Sequence, residues 1–127
     1  MFQNSMFKKT LVLGASLKPN RYSNIAIHRL VNYNQDVIAI GLRAGEVSGV
    51  KIETDLIEFE NVDTVTLYLN PTRQKQYYDY IVRLNPKRVI FNPGTENPEF
   101  YEILKQANIK AEVACTLVLL STNQYES

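Results

Sequence analysis

The stretch Gly14-Ala15-Ser16, followed by Arg21 and Ser23, carries the residue types of an anion site. The glycine permits a tight turn and lets a ligand approach the backbone closely. Backbone N–H groups leaving a strand, together with the N-terminus of a following helix, suit a phosphate. Ser16 and Ser23 can donate hydroxyls, and Arg21 can form charge-assisted hydrogen bonds. By spacing alone, an ordinary strand-to-helix loop that needs a glycine and a cap fits equally well. The run Gly14-Ala15-Ser16-Leu17-Lys18-Pro19 does not match the G-x-G-x-x-G dinucleotide fingerprint.

The second informative point is Ile40-Gly41-Leu42-Arg43. An NAD site places an acid there for the ribose 2′-hydroxyl, and this chain has none. Arg43 suits a phosphorylated ribose, as in NADP or the 3′-phosphate of coenzyme A, or is a solvated loop charge. His28 is the sole histidine, which removes most acid–base and metal chemistry; beside the apolar face of its helix it reads as exposed or half-buried. Cys115 is either a small buried hydrophobe or a reactive thiol, and Glu96 either a turn residue or a base. No His, Cys, Asp and Glu cluster has metal-ligand spacing. Tyr77, Tyr78 and Tyr80 read as helix packing with one exposed ring, and as a surface for self-association.

Alternating strands and helices must position these residues. Leu11-Val12-Leu13 ends a buried strand at Gly14. Ser23 is expected to cap the first helix, whose face carries Ala26, Ile27, Leu30 and Val31 and whose end is Asn34. Val37-Ile38-Ala39-Ile40 is the second strand, residues 41–49 a glycine-rich loop, and residues 50–57 hold a short third strand. Residues 62–69 form the fourth strand. Asn70-Pro71 then starts one helix that runs to Asn85-Pro86, with Tyr77, Tyr78, Ile81 and Leu84 as its buried stripe. Arg88-Val89-Ile90-Phe91 is the fifth strand, and Asn97-Pro98 repeats the helix start. Phe100, Ile103, Leu104 and Ala107 face inward and Asn108 ends that helix. Ala111-Glu112-Val113-Ala114 is a last strand, and residues 115–120 read as a short helix. The pattern predicts a three-layer, Rossmann-like α/β fold with a parallel five- or six-stranded sheet, order near 3-2-1-4-5. Ligands bind such sheets at the carboxyl ends of the strands, where the order reverses.

The 127 residues suffice for one domain, 1–127, with residues 1–6 and 121–127 as loose ends. With 14 basic and 13 acidic residues the chain lacks the basic excess of a dedicated nucleic-acid binder. One cysteine excludes an internal disulfide and fits a reducing, cytoplasmic setting. No apolar run reaches the roughly 20 residues of a membrane span, and no secretory signal is legible.

Leu11-Val12-Leu13-Gly14-Ala15-Ser16, then Pro19, then Arg21-Tyr22-Ser23-Asn24, resembles the opening of the small CoA-binding domain proteins. The resemblance continues through Asp63-Thr64-Val65 and Asn92-Pro93-Gly94-Thr95-Glu96 to Cys115. These proteins are Rossmann-like and similar to the CoA-binding domain of succinyl-CoA synthetase. The resemblance implies that Gly14, Ala15, Ser16, Arg21 and Ser23, with Tyr22 among them, surround the CoA pyrophosphate. It implies Ile40, Gly41 and Arg43 near the adenosine, Tyr68, Leu69 and Asn70 beside nucleotide or pantetheine, and Asn92, Gly94 and Glu96 on the far side. The expected function is binding of coenzyme A or an acyl-CoA without catalysis. The alternatives are a small acyl-CoA or thiol-transfer enzyme using Cys115 or Glu96, and an NADP-type nucleotide sensor acting with a partner. The sequence permits a homodimer or an unidentified protein partner.

Overall fold

The computed structural model describes residues 8–126; the expected loose start at residues 1–6 and the final residue lie outside them. The elements are β1 (Lys9–Ala15), α1 (Tyr22–Asn32), β2 (Asp36–Gly41), β3 (Gly45–Val47), β4 (Val50–Glu53), β5 (Val62–Leu67), α2 (Pro71–Gln74), α3 (Tyr78–Leu84), β6 (Arg88–Phe91), α4 (Pro98–Gln106), β7 (Lys110–Val113) and α5 (Thr116–Ser121). Among the described residues seven strands form one sheet in the order β3-β4-β2-β1-β5-β6-β7. All pairs are parallel except the β3–β4 hairpin. The fold is Rossmann-like, and its six parallel strands follow the expected order. The seventh strand is a correction: Gly45–Val47, expected as loop, pairs with Val50–Glu53 around a tight Ser48-Gly49 turn. Ser48 and Gly49 both adopt positive φ, which suits a two-residue hairpin turn.

Alternation along the central strands divides the core. Leu11, Leu13, Val65, Leu67, Val89 and Phe91 pack on one face against Tyr80 and Ile81 of α3 and Phe100 and Leu104 of α4. Val12, Ala39, Ile52 and Ile90 pack on the other against Ile27 and Leu30 of α1 and Leu119 and Leu120 of α5. This two-sided burial explains why the strands read as continuous apolar runs.

Asparagines set both ends of the helices. Asn70 and Asn97 each accept a hydrogen bond on Oδ1 from the amide three residues on, Arg73 at 2.9 Å and Phe100 at 3.3 Å, with proline at the first helical position. Asn34, Asn85 and Asn108 adopt left-handed φ of 62°, 52° and 61° just past α1, α3 and α4. Ser23 does not have its expected role. The helix starts two residues earlier, at Tyr22, with extended Arg21 in the cap position and no side-chain cap hydrogen bond.

The helix expected after Asn70 is broken by a 3₁₀ turn at Lys75–Tyr77. Three residues at about 120° each, against about 100° in an α-helix, rotate the next turn of helix by roughly 60°. Tyr80 therefore joins Ile81 in the core while Tyr77 and Tyr78 move to its flank, and none of the three is exposed. Tyr78 stacks on Phe100 at 4.3 Å between ring centroids. The Tyr80 hydroxyl donates to the Ile57 carbonyl, and burial pushes its pKa up to about 12.

The chain end is likewise not loose through Tyr125. That ring is 3% exposed, its hydroxyl pairs with Thr10, and the Arg88 guanidinium lies 4.5 Å over it. Burial raises its pKa above the usual tyrosine value. Tyr125→Ala is expected to cost about 3 kcal/mol, read as a lower urea midpoint at unchanged slope.

Candidate functional site

The strand order reverses at β1, between β2 and β5, and a crevice of about 470 Å³ opens at the carboxyl ends of these strands. Its volume falls in the range of small-molecule sites. Each wall comes from a specific local feature.

The floor is the end of β1. Gly14 adopts φ +96° at an irregularity in the β1–β2 register. A side chain there would strain the backbone and bring Cβ to 3.0 Å from the Tyr68 carbonyl and Leu69 Cγ. Gly41, at the end of β2, is needed for a different reason. A Cβ at this position would lie 2.2 Å from the Ala15 carbonyl oxygen. The two glycines thus allow β1, β2 and the segment after β5 to converge below the crevice.

The loop from Ser16 to Arg21 forms one wall. The Ser16 hydroxyl accepts from the Lys18 amide at 3.1 Å, and Asn24 Nδ2 donates to the Ser16 carbonyl at 2.9 Å. The Arg21 amide donates to the Lys18 carbonyl at 3.1 Å. These bonds hold the loop against the start of α1. With no side-chain cap and no acid in its first turn, α1 presents its N-terminus to the crevice at Tyr22 and Ser23. Leu17 and Lys18 also line this wall.

Leu42 and Arg43 extend the wall beyond β2. Opposite them stand Tyr68, Leu69 and Asn70, then Arg73 and Tyr77; Pro93, Gly94 and Thr95 complete the far end beyond β6. Among the described residues lining the crevice, Lys18, Arg21, Arg43 and Arg73 are cationic and none is acidic. None of these four forms an ion pair with a described carboxylate. Four of the chain's 14 cations thus line one concave surface, which strengthens their field. Tyr68 contributes a neutral ring: burial raises its pKa well above the usual tyrosine value, while the hydroxyls of Thr66 and Thr116 beside it oppose that shift.

The structure brings together twelve of the residues named from sequence: Gly14, Ala15, Ser16, Arg21, Tyr22, Ser23, Gly41, Arg43, Tyr68, Leu69, Asn70 and Gly94. Three others lie outside the lining. Ile40 is 1% exposed and packs in the core against the face that carries α3 and α4. Asn92 is 2% exposed and bonded throughout: Nδ2 donates to Thr66 Oγ1 at 2.7 Å and to the Leu67 carbonyl at 2.8 Å, and Oδ1 accepts from the Thr116 amide at 2.8 Å. Glu96 is exposed and accepts from the Gly94 amide at 2.8 Å, a turn role. Cys115 is half-buried at the start of α5 and His28 is exposed on α1; neither lines the crevice.

Leu17, Lys18, Leu42, Pro93 and Thr95 lie in segments 14–23, 40–43 and 92–96, which the topology puts at the carboxyl ends of the strands, although none was singled out as a site residue. Arg73 carried no such signal, and Tyr77 was expected as helix packing; its place at the crevice depends on the 3₁₀ break.

The family model described as "CoA binding domain" matches residues 8–121. A solved crystal structure of an uncharacterized protein is 49% identical, with a TM-score of 0.90 over 93% of this chain and 98% of that one. A Thermus thermophilus structure, cell-free ID.343, is 21% identical with a TM-score of 0.83, covering 94% and 92% of the two chains. The same fold occurs in a larger chain, a dinucleotide-forming acetyl-coenzyme A synthetase of Candidatus Korarchaeum cryptofilum. That match has 17% identity and a TM-score of 0.68, over 89% of this chain and 27% of that one. No curated protein matches.

Proposed function

We propose that this chain, which belongs to the CoA binding domain family, binds coenzyme A or an acyl-CoA in the crevice at the carboxyl ends of β1, β2 and β5. The observation that carries this reading is the crevice's charge: Lys18, Arg21 and Arg43 beside an uncapped helix start, with no acid in the lining. A ligand with several phosphates matches it. In Rossmann-type sites the adenosine lies beyond the second strand and the pyrophosphate at the first helix N-terminus. The Gly14-Ala15-Ser16 loop, Lys18 and Arg21 then hold the pyrophosphate, and Arg43 meets the ribose phosphate. Pantetheine runs the other way, past Tyr68 and Leu69.

The protein works as a binder in this reading, because both candidate reactive residues, Cys115 and Glu96, sit outside the crevice lining. Arg43 also suits the 2′-phosphate of NADP, so that ligand is the second reading. Among the described residues no helix is long and apolar enough to cross a membrane.

Arg43→Ala tests the ligand's orientation. It is expected to weaken coenzyme A about tenfold, the scale of one charge-assisted contact. Dephospho-CoA, which lacks the ribose phosphate, should bind both proteins alike. Isothermal titration of the four combinations reads this directly. Equal losses for both ligands would remove Arg43 from the ribose phosphate.

A further inference from the structure

We propose that Arg73 makes this site selective for coenzyme A thioesters whose acyl group ends in a carboxylate. The proposal rests on the coenzyme A reading and concerns the end of the crevice remote from the nucleotide.

Coenzyme A offers a pyrophosphate and one ribose phosphate to the cations of the crevice. Lys18, Arg21 and Arg43 lie along β1 and β2, where the nucleotide half belongs. Arg73 is the remaining cation of the lining, and it stands on the opposite wall, beyond β5. The sheet order β2-β1-β5-β6 sets Arg43 and Arg73 on opposite sides of β1. A ligand with adenosine at Arg43 and pyrophosphate at the start of α1 directs its thiol end toward Arg73, Tyr77 and Gly94. A neutral acyl group would give a guanidinium covered there nothing to pair with, whereas a terminal carboxylate matches its fork of donors.

Arg73 is mounted rigidly. Its amide donates to Asn70 Oδ1 at 2.9 Å. The next residue, Gln74, is fully buried, and its Nε2 donates to the Leu69 and Thr95 carbonyls, both at 2.8 Å. Gln74 Oε1 accepts from Asn97 Nδ2 at 2.9 Å. This one side chain therefore pins α2 to both flanking walls and fixes where the arginine departs from the backbone. The neighbouring space is open: a Cβ placed on Gly94 would meet nothing within 4 Å. Arg73 has no carboxylate partner among the described residues, and the nearby Glu96 is engaged with the Gly94 amide.

Two stable thioethers separate the possibilities: S-(3-carboxypropyl)-CoA and S-butyl-CoA, which differ by a carboxylate in place of a methyl. Calorimetric titration should show the carboxylate form binding about tenfold tighter, and Arg73→Gln should erase that preference, leaving the two thioethers within about twofold of each other. Equal affinity of the two thioethers for the unaltered protein would overturn the proposal. So would a variant that loses all three ligands equally, since Arg73 would then act on the phosphates. If coenzyme A itself fails to bind, the underlying reading falls; if it binds without preference between the thioethers, only the acyl assignment falls.

Discussion

Gly41→Ala is expected to destabilise the protein by about 3 kcal/mol, at the upper end of overpacking costs, and to weaken coenzyme A at least tenfold. The cause is a single distance. The new Cβ would lie 2.2 Å from the Ala15 carbonyl oxygen, a backbone atom that cannot rotate away. Ala15 and Gly41 are register partners at the carboxyl ends of β1 and β2. Relief therefore requires the two strands to separate at the base of the crevice, and that shift moves the loop carrying Ser16, Lys18 and Arg21. Urea unfolding measures the first effect and titration of the folded variant the second. A variant with native midpoint and native affinity would show that the strands do not approach so closely.

Asn92→Ala is expected to cost a similar amount, about 3 kcal/mol, by a different route. Its side chain joins three elements: β5 through Thr66 and the Leu67 carbonyl, β6 through its own backbone, and α5 through the Thr116 amide. Truncation leaves a buried amide and carbonyl without these partners, and water reaches them poorly. Because Asn92 does not line the crevice, affinity for coenzyme A in the folded variant should stay within about twofold. Thermal unfolding and titration on the same sample separate the two readouts. A large loss of affinity at native stability would instead make Asn92 a ligand contact.

Asn92 also shows where sequence reasoning reaches its limit. The residue comes just after a strand and faces the predicted ligand side, so its type and position fit a polar contact. What it does depends on Thr66 and Thr116, 26 and 24 residues away, which close around it only in the folded chain. Ile40 failed for the converse reason. It ends an apolar strand beside the site, but its side chain points to the core rather than to the ligand. Local signals fared better. The Asn-Pro starts and the asparagine stops are set by backbone chemistry within a few residues, and the structure has them where expected. The glycine at the end of β1 and the arginine beyond β2 were legible because Rossmann-type topology ties those points to a ligand. Arg73 was not, since nothing local marks its neighbour Gln74 as the buried side chain that ties this turn to the Leu69 and Thr95 carbonyls. The Ser23 expectation erred by two residues, and the consequence is functional: an uncapped start of α1 leaves its first turn facing the crevice.

Titration of the purified protein with coenzyme A, with NADP and ATP in parallel, tests the central claim most directly. The account predicts one site per chain, saturable by coenzyme A at micromolar concentration and weakened by added salt, as expected for a site built from exposed cations. It predicts much weaker binding of the other two. No heat or thermal shift at millimolar coenzyme A, with NADP or ATP producing one, would contradict it.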